Sequence, residues 1–116
     1  MNIIERRHFE RLSILGAKVL YKRKNGQVAL MQINDLTLSS ICFRIKHPLK
    51  LGEHIELEII IPNKETISVK GIVSRIEIPT YAVAQFFAFS SDGRYNSLDS
   101  YYQLKKIMED YLLAVN

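Results

Sequence analysis

The sequence lacks most of what builds a catalytic or membrane-spanning protein. Its 116 residues contain no tryptophan and a single cysteine, Cys42. No intrachain disulfide is available, and between Ile41 and Phe43 the cysteine reads as a small core hydrophobe with no redox role. No apolar run approaches the ~20 residues of a membrane span, and the N-terminus lacks the basic-then-apolar pattern of a secretion signal. The expectation is a cytoplasmic protein with no membrane span. His8, His47 and His54 do not have zinc-ligand spacing, and no Gly-rich phosphate loop or serine-nucleophile elbow occurs. Neither an enzyme nor a metal or cofactor site is expected.

What remains is ordinary in bulk and uneven in detail. Apolar residues make up 47% and charged residues 24%, which argues against both disorder and a coiled coil and for one compact domain. The net charge of +4 is concentrated early: residues 1–24 carry seven cations against Glu5 and Glu10, whereas residues 93–116 carry three of each sign. A basic segment of this kind steers anions toward it.

Most of the chain has the period-two pattern of strands. Apolar and polar residues roughly alternate from Leu12 to about Tyr21, and Lys24-Asn25-Gly26 follows, a hairpin signal because Asn and Gly both tolerate positive φ. A second strand starts at Val28, with Val28, Leu30 and Gln32 on one face and Ala29, Met31 and Ile33 on the other, and Asn34-Asp35 is read as its end. A short strand at Ile41–Ile45 stops before His47-Pro48, and Leu51-Gly52-Glu53 reads as a turn. The clearest strand puts Ile55, Leu57, Ile59 and Ile61 on one face, and two more begin at Ile67 and Tyr81.

After Ser90-Ser91-Asp92-Gly93 the period becomes helical. Leu98, Tyr101, Tyr102, Lys105, Met108, Tyr111 and Leu112, with Leu104 and Ile107 beside them, fit an amphipathic helix capped by Ser97, its tyrosine stripe a packing face. The expected fold is all-β, a small six-stranded antiparallel barrel with a C-terminal α-helix. The expected organisation is a flexible basic arm over 1–11, a barrel over 12–90 and a helix over 97–114.

Two motifs carry the functional reading. The first is Arg7-x-x-x-Arg11, preceded by Arg6. Guanidinium groups match guanine's Hoogsteen acceptors bidentately, pair with phosphate and stack on rings. In an extended arm the pair would lie about 13 Å apart, reaching two parts of one ligand. The second is Asp35-x-Thr37-x-x-Ser40, at the junction of the second and third strands.

Together these motifs, with the strand order and terminal helix, resemble the PilZ domain family, bacterial receptors for cyclic dimeric GMP (c-di-GMP). The family pattern is Arg-x-x-x-Arg in an N-terminal arm, then Asp/Asn-x-Ser-x-x-Gly on the barrel; here Thr37 and Ser40 stand in for its serine and glycine. The resemblance implies that Arg7 and Arg11 engage guanine edges and phosphates. Asp35 would accept hydrogen bonds from a guanine, Thr37 would supply a hydroxyl near the ligand, and Arg6 would add a phosphate or stacking contact. Where the pattern's glycine serves positive φ or close ligand approach, the Cβ of Ser40 costs of order 1 kcal/mol.

The expected function is a stand-alone c-di-GMP receptor whose arm folds over the ligand and whose new surface regulates a partner protein. The alternative is a PilZ-like interaction adaptor that ignores the nucleotide. A nucleic-acid-binding barrel is disfavoured, because only Phe9 and Tyr21 are interleaved with the basic residues and Glu53, Glu56 and Glu58 lie along the best strand.

Overall fold

The alternation of Ile55, Leu57, Ile59 and Ile61 dictates a strand with one face wholly inside, and all four are buried in the computed structural model, which describes residues 11–77 and 80–115. That strand, β4 (His54–Ile60), is one of six in a closed antiparallel barrel with β1 (Lys18–Arg23), β2 (Val28–Leu36), β3 (Ser40–Arg44), β5 (Ile67–Glu77) and β6 (Tyr81–Phe86). The order around the barrel is β1-β2-β3-β6-β5-β4, so two three-stranded meanders join edge to edge through β1–β4 and β3–β6. Closure leaves the six-stranded barrel itself without an unpaired edge. The all-β barrel with a C-terminal helix expected from the sequence is what the chain forms.

The β1–β2 hairpin turns where Asn-Gly stands, as expected. Gly26 alone takes positive φ (91°), its N–H donates to the carbonyl of Arg23 at 3.0 Å, and Arg23 N–H donates to Gln27 at 2.9 Å. Asn25 instead accepts the Gln27 N–H on its side chain at 2.9 Å. The result is a three-residue loop with a glycine bulge, not a two-residue turn with both residues at positive φ. Arg23 then reaches across to Glu53 with Nε and Nη2, at 2.6 and 3.0 Å. These bonds hold the Glu53 carboxyl below its ordinary value of 4.5.

The connection from β3 to β4 crosses from one meander to the other. Leu49 from this segment is buried in the core, and the hydroxyl of the fully buried Tyr21 accepts the N–H groups of Lys46 and His47 at 3.1 and 3.4 Å.

The helix α1 (Leu98–Val115) starts where expected: Ser97 Oγ accepts the Ser100 N–H at 3.2 Å. Its buried face is Ser100, Leu104, Ile107 and Met108, with Tyr111 packed at its edge, and Ser100 donates to the carbonyl of Ser68 on β5 at 2.8 Å. The tyrosine stripe is therefore only partly a packing face. Tyr101 sits against Phe89 at 5.5 Å between ring centres, whereas Tyr102 is 58% exposed. Before the helix, Phe89–Ser90 (β7) and Asn96–Ser97 (β8) form a two-stranded parallel pair. Asn96 holds this region to the barrel. Its side chain accepts Lys70 N–H at 2.7 Å and donates to the carbonyls of Lys70 and Phe87, both at 2.9 Å.

Candidate functional site

Asn34-Asp35, expected to end the second strand, lies inside it. The β2–β3 register shifts between Ile33 and Asp35, so Asn34 is an extra residue, a β-bulge that bends β2 and re-aims the side chains around it. A second bulge interrupts β5 opposite β6, between Val73 and Arg75, with Ser74 as its extra residue. Between the two bulges the outer wall of β2, β3, β6 and β5 forms a concave surface.

The cavity there has a volume of about 300 Å³. Arg11, Asp35 and Ser40 line it, together with the two bulge residues. Arg11 reaches it because Leu12 pairs with Leu36 through two backbone hydrogen bonds of 2.9 Å, and Ser13 donates to the carbonyl of Asn34 at 3.0 Å. The last residue of the basic arm is thus pinned beside the bulge. Among the described residues neither Arg11 nor Asp35 is committed to an ion pair, so a cation and a carboxylate face the cavity with their bonding capacity free. Arg75 and Glu77 add a second cation and carboxylate, paired with each other on the exposed rim.

Cys42 and Val83 line the same cavity. Cys42 is buried but belongs to the outward face of β3, since its neighbours Ile41 and Phe43 take the two core positions. Cys42 is thus the small buried hydrophobe expected from the sequence and also part of the wall of this cavity. Burial, and then the Asp35 carboxylate, push its thiol up, so it is held as the neutral thiol, and Asn34 Nδ2 contacts its Sγ at 3.8 Å.

Thr37 lies differently from what the motif implies. It is buried, and its Oγ1 accepts the N–H groups of Ser39 and Ser40 at 3.0 and 2.9 Å, while its N–H donates to the Ser40 carbonyl at 2.9 Å. The hydroxyl is the hub of the β2–β3 turn, not a wall of the cavity. Ser40 takes part through a hydroxyl contact to Thr37 of 3.0 Å. Its backbone is ordinary strand: among the described non-glycine residues only Asn63 has positive φ. A side chain at this position therefore carries no backbone strain, and the effect of its Cβ is confined to the space it takes from the cavity.

Of the six residues singled out from sequence, the structure brings Arg11, Asp35 and Ser40 together and turns Thr37 into their support. Arg6 and Arg7 lie outside the described residues. Sequence reasoning missed Asn34, Ser74, Arg75, Glu77, Cys42 and Val83. The one available signal was the polar pair Asn34-Asp35 within an otherwise continuous strand pattern. Among the described residues no group of three or more His, Cys, Asp or Glu side chains is placed to hold a metal ion, and no helix is long and apolar enough to cross a membrane.

No protein-family model matches the sequence, and the search of curated proteins likewise found no match. Solved structures do match. The PilZ domain of YcgR from Escherichia coli, determined with c-di-GMP, superposes with a TM-score of 0.70 at 15% identity, over 90% of this chain and 90% of that one. MrkH from K. pneumonia in complex with c-di-GMP superposes with a TM-score of 0.71 at 19% identity, over 91% of this chain but 52% of MrkH. The Bacillus subtilis inhibitor of motility MotI superposes with a TM-score of 0.63 at 14% identity, over 88% of this chain and 49% of MotI. The chain therefore spans about half the length of MrkH and MotI and nearly all of the YcgR domain. At these identities the likeness is one of architecture, and the fold of this chain is that of a PilZ domain.

Proposed function

We propose that the chain is a non-enzymatic receptor for c-di-GMP that acts as an adaptor, binding the nucleotide in the Arg11–Asp35–Ser40 cavity and regulating a partner protein through the surface this creates. The observation that carries the reading is the convergence of those residues, 24 and 5 positions apart in sequence, on one concave wall of a PilZ-type barrel. The ligand carries two phosphates and two guanines. Its recognition calls for guanidinium groups for phosphate or the guanine Hoogsteen edge and a carboxylate acceptor for guanine N–H groups. Arg11 and Asp35 supply one of each. A cavity of 300 Å³ is at the lower limit of small-molecule sites, roughly 300–1,000 Å³, so it takes one guanine and an adjoining phosphate. Arg6 and Arg7 then close on the remainder from the arm. Ser40 takes some of the space that glycine would leave and offers a hydroxyl at the cavity wall.

Titration calorimetry of the full chain with c-di-GMP, beside Asp35→Ala, tests the reading. The expected result is binding that Asp35→Ala weakens by about tenfold or more, the effect of losing a charge-assisted hydrogen-bond pair. Absence of heat up to about 100 μM ligand, a level that reveals even weak affinity, overturns it and leaves a ligand-independent interaction adaptor.

A further inference from the structure

A second and larger cavity lies elsewhere on the barrel, shares no lining residue with the first, and has a volume of about 420 Å³. It is assembled from segments far apart in sequence: the β1–β2 turn, the start of β4, the middle of β5 and the stretch between β6 and β8. Five cations line it against one carboxylate, Glu56. Arg23 is neutralised by Glu53, but Lys22, Lys24, Lys70 and Arg94 are exposed and, among the described residues, have no ion-pair partner. Against this charge the wall carries rings. Phe87 lies 5.7 Å from Tyr95 and meets His54 in a T-shaped contact at 5.0 Å, Arg94 lies over Tyr95 at 5.6 Å, and Tyr95 is 49% exposed.

Like charges gathered around exposed rings repel one another and leave aromatic surface in water, so the arrangement costs stability unless something occupies it. It is also held firmly. Asn96 bonds both backbone groups of Lys70 and the Phe87 carbonyl, and Phe87 N–H donates to the Lys70 carbonyl at 3.0 Å, which fixes the ring-bearing segment against β5. We propose that this groove is a second ligand site, which takes a nucleotide bearing two or more phosphate charges, its base against Phe87 and Tyr95 and its phosphates among Lys22, Lys24, Lys70 and Arg94. A planar base matches the rings by stacking, and the excess of four unpaired cations over one carboxylate asks for more than a single negative charge. The inference is independent of the Arg11 cavity.

The test is an NMR titration of the full chain with ADP, using pyrophosphate, adenosine and a hexaglutamate peptide as comparison probes. ADP is expected to give saturable amide shifts at residues 22–24, 54–56, 70 and 94–95 below about 1 mM. Each half of the ligand is expected to bind at least about tenfold more weakly. Tyr95→Ala, at a half-exposed position, is expected to keep the amide spectrum of the folded barrel and to weaken ADP by about tenfold, and Lys70→Glu with Arg94→Glu to abolish binding. Four results overturn the proposal: no saturable shift with ADP; pyrophosphate binding as tightly as ADP, which reduces the groove to an anion patch; hexaglutamate binding as tightly, which assigns it to an acidic protein segment; or ADP shifts centred on Asp35 and Ser40, which place the nucleotide in the other cavity.

Discussion

Thr37 separates two accounts of one hydroxyl, a ligand contact or a turn hub, and Thr37→Val distinguishes them because it keeps the shape and removes the oxygen. In the structure Oγ1 accepts two backbone N–H groups, from Ser39 and Ser40, at 3.0 and 2.9 Å. Valine leaves both without that partner. An unsatisfied buried donor costs about 1–3 kcal/mol, and because Ser39 and Ser40 are half-buried the lower figure applies to each. The sum is about 2 kcal/mol, which for a domain of this size lowers the melting temperature by roughly 6–10 °C. Thr37→Ser keeps the oxygen and is expected to melt within about 3 °C of the parent. The assay is thermal unfolding without nucleotide, followed by calorimetry with c-di-GMP. If Thr37→Val melts with the parent while its affinity for the nucleotide collapses, the hydroxyl belongs to the ligand and the turn assignment is refuted.

Three further outcomes follow from the packing. At Gly71 a Cβ would come within 2.6 Å of the Gln85 carbonyl oxygen, so Gly71→Ala forces β5 and β6 apart and is expected to cost about 2–4 kcal/mol in denaturant unfolding. Gly52→Ala meets nothing within 4 Å and suffers only from its φ of +82°, about 1 kcal/mol, so equal losses at the two sites would refute the close-approach argument. Asn96→Asp sets a carboxylate oxygen against the carbonyls of Lys70 and Phe87 and is expected to destabilise by about 3 kcal/mol; unfolding unchanged from the parent would contradict the bracing role. Glu53 has a folded-state pKa below 4.5, so its pairing with Arg23 contributes fully above that pH and is lost as pH falls through the depressed value. Glu53→Gln is accordingly expected to melt below the parent at pH 7, with the gap closing under acid; a gap that widens on acidification has the wrong sign for this account.

Much of the barrel was legible in the sequence because local signals agreed with the global fold. The alternation in β4, the Asn-Gly hairpin, the Ser97 cap and the change to helical period each mark an element by a rule that acts within a few residues. The bulges at Asn34 and Ser74 were not legible, since an extra residue exists only relative to the register of a partner strand. For the same reason Asn34-Asp35 read as a strand end, although it is the bend that builds the Arg11 cavity. Arg11, Asp35 and Ser40 line one cavity, but the motif does not say which hydroxyl faces out, and burial of Thr37 decides that. The basic and aromatic groove was invisible: Lys22, His54, Lys70, Phe87 and Arg94 are interleaved only after the strands pair, and a linear scan for rings among basic residues passes over them.

The central claim is that c-di-GMP binds in the cavity of Arg11, Asp35 and Ser40, closed by the arm that carries Arg7. Its most direct test is a c-di-GMP titration followed by amide NMR shifts on the full chain, run beside the Arg7→Ala, Arg11→Ala double variant. The account predicts saturable shifts at residues 11, 34–35, 40–42 and 74–77 that the double variant loses while its spectrum otherwise stays that of the folded barrel. Shifts that persist in the double variant, or a spectrum that does not change with about 100 μM ligand, would contradict it.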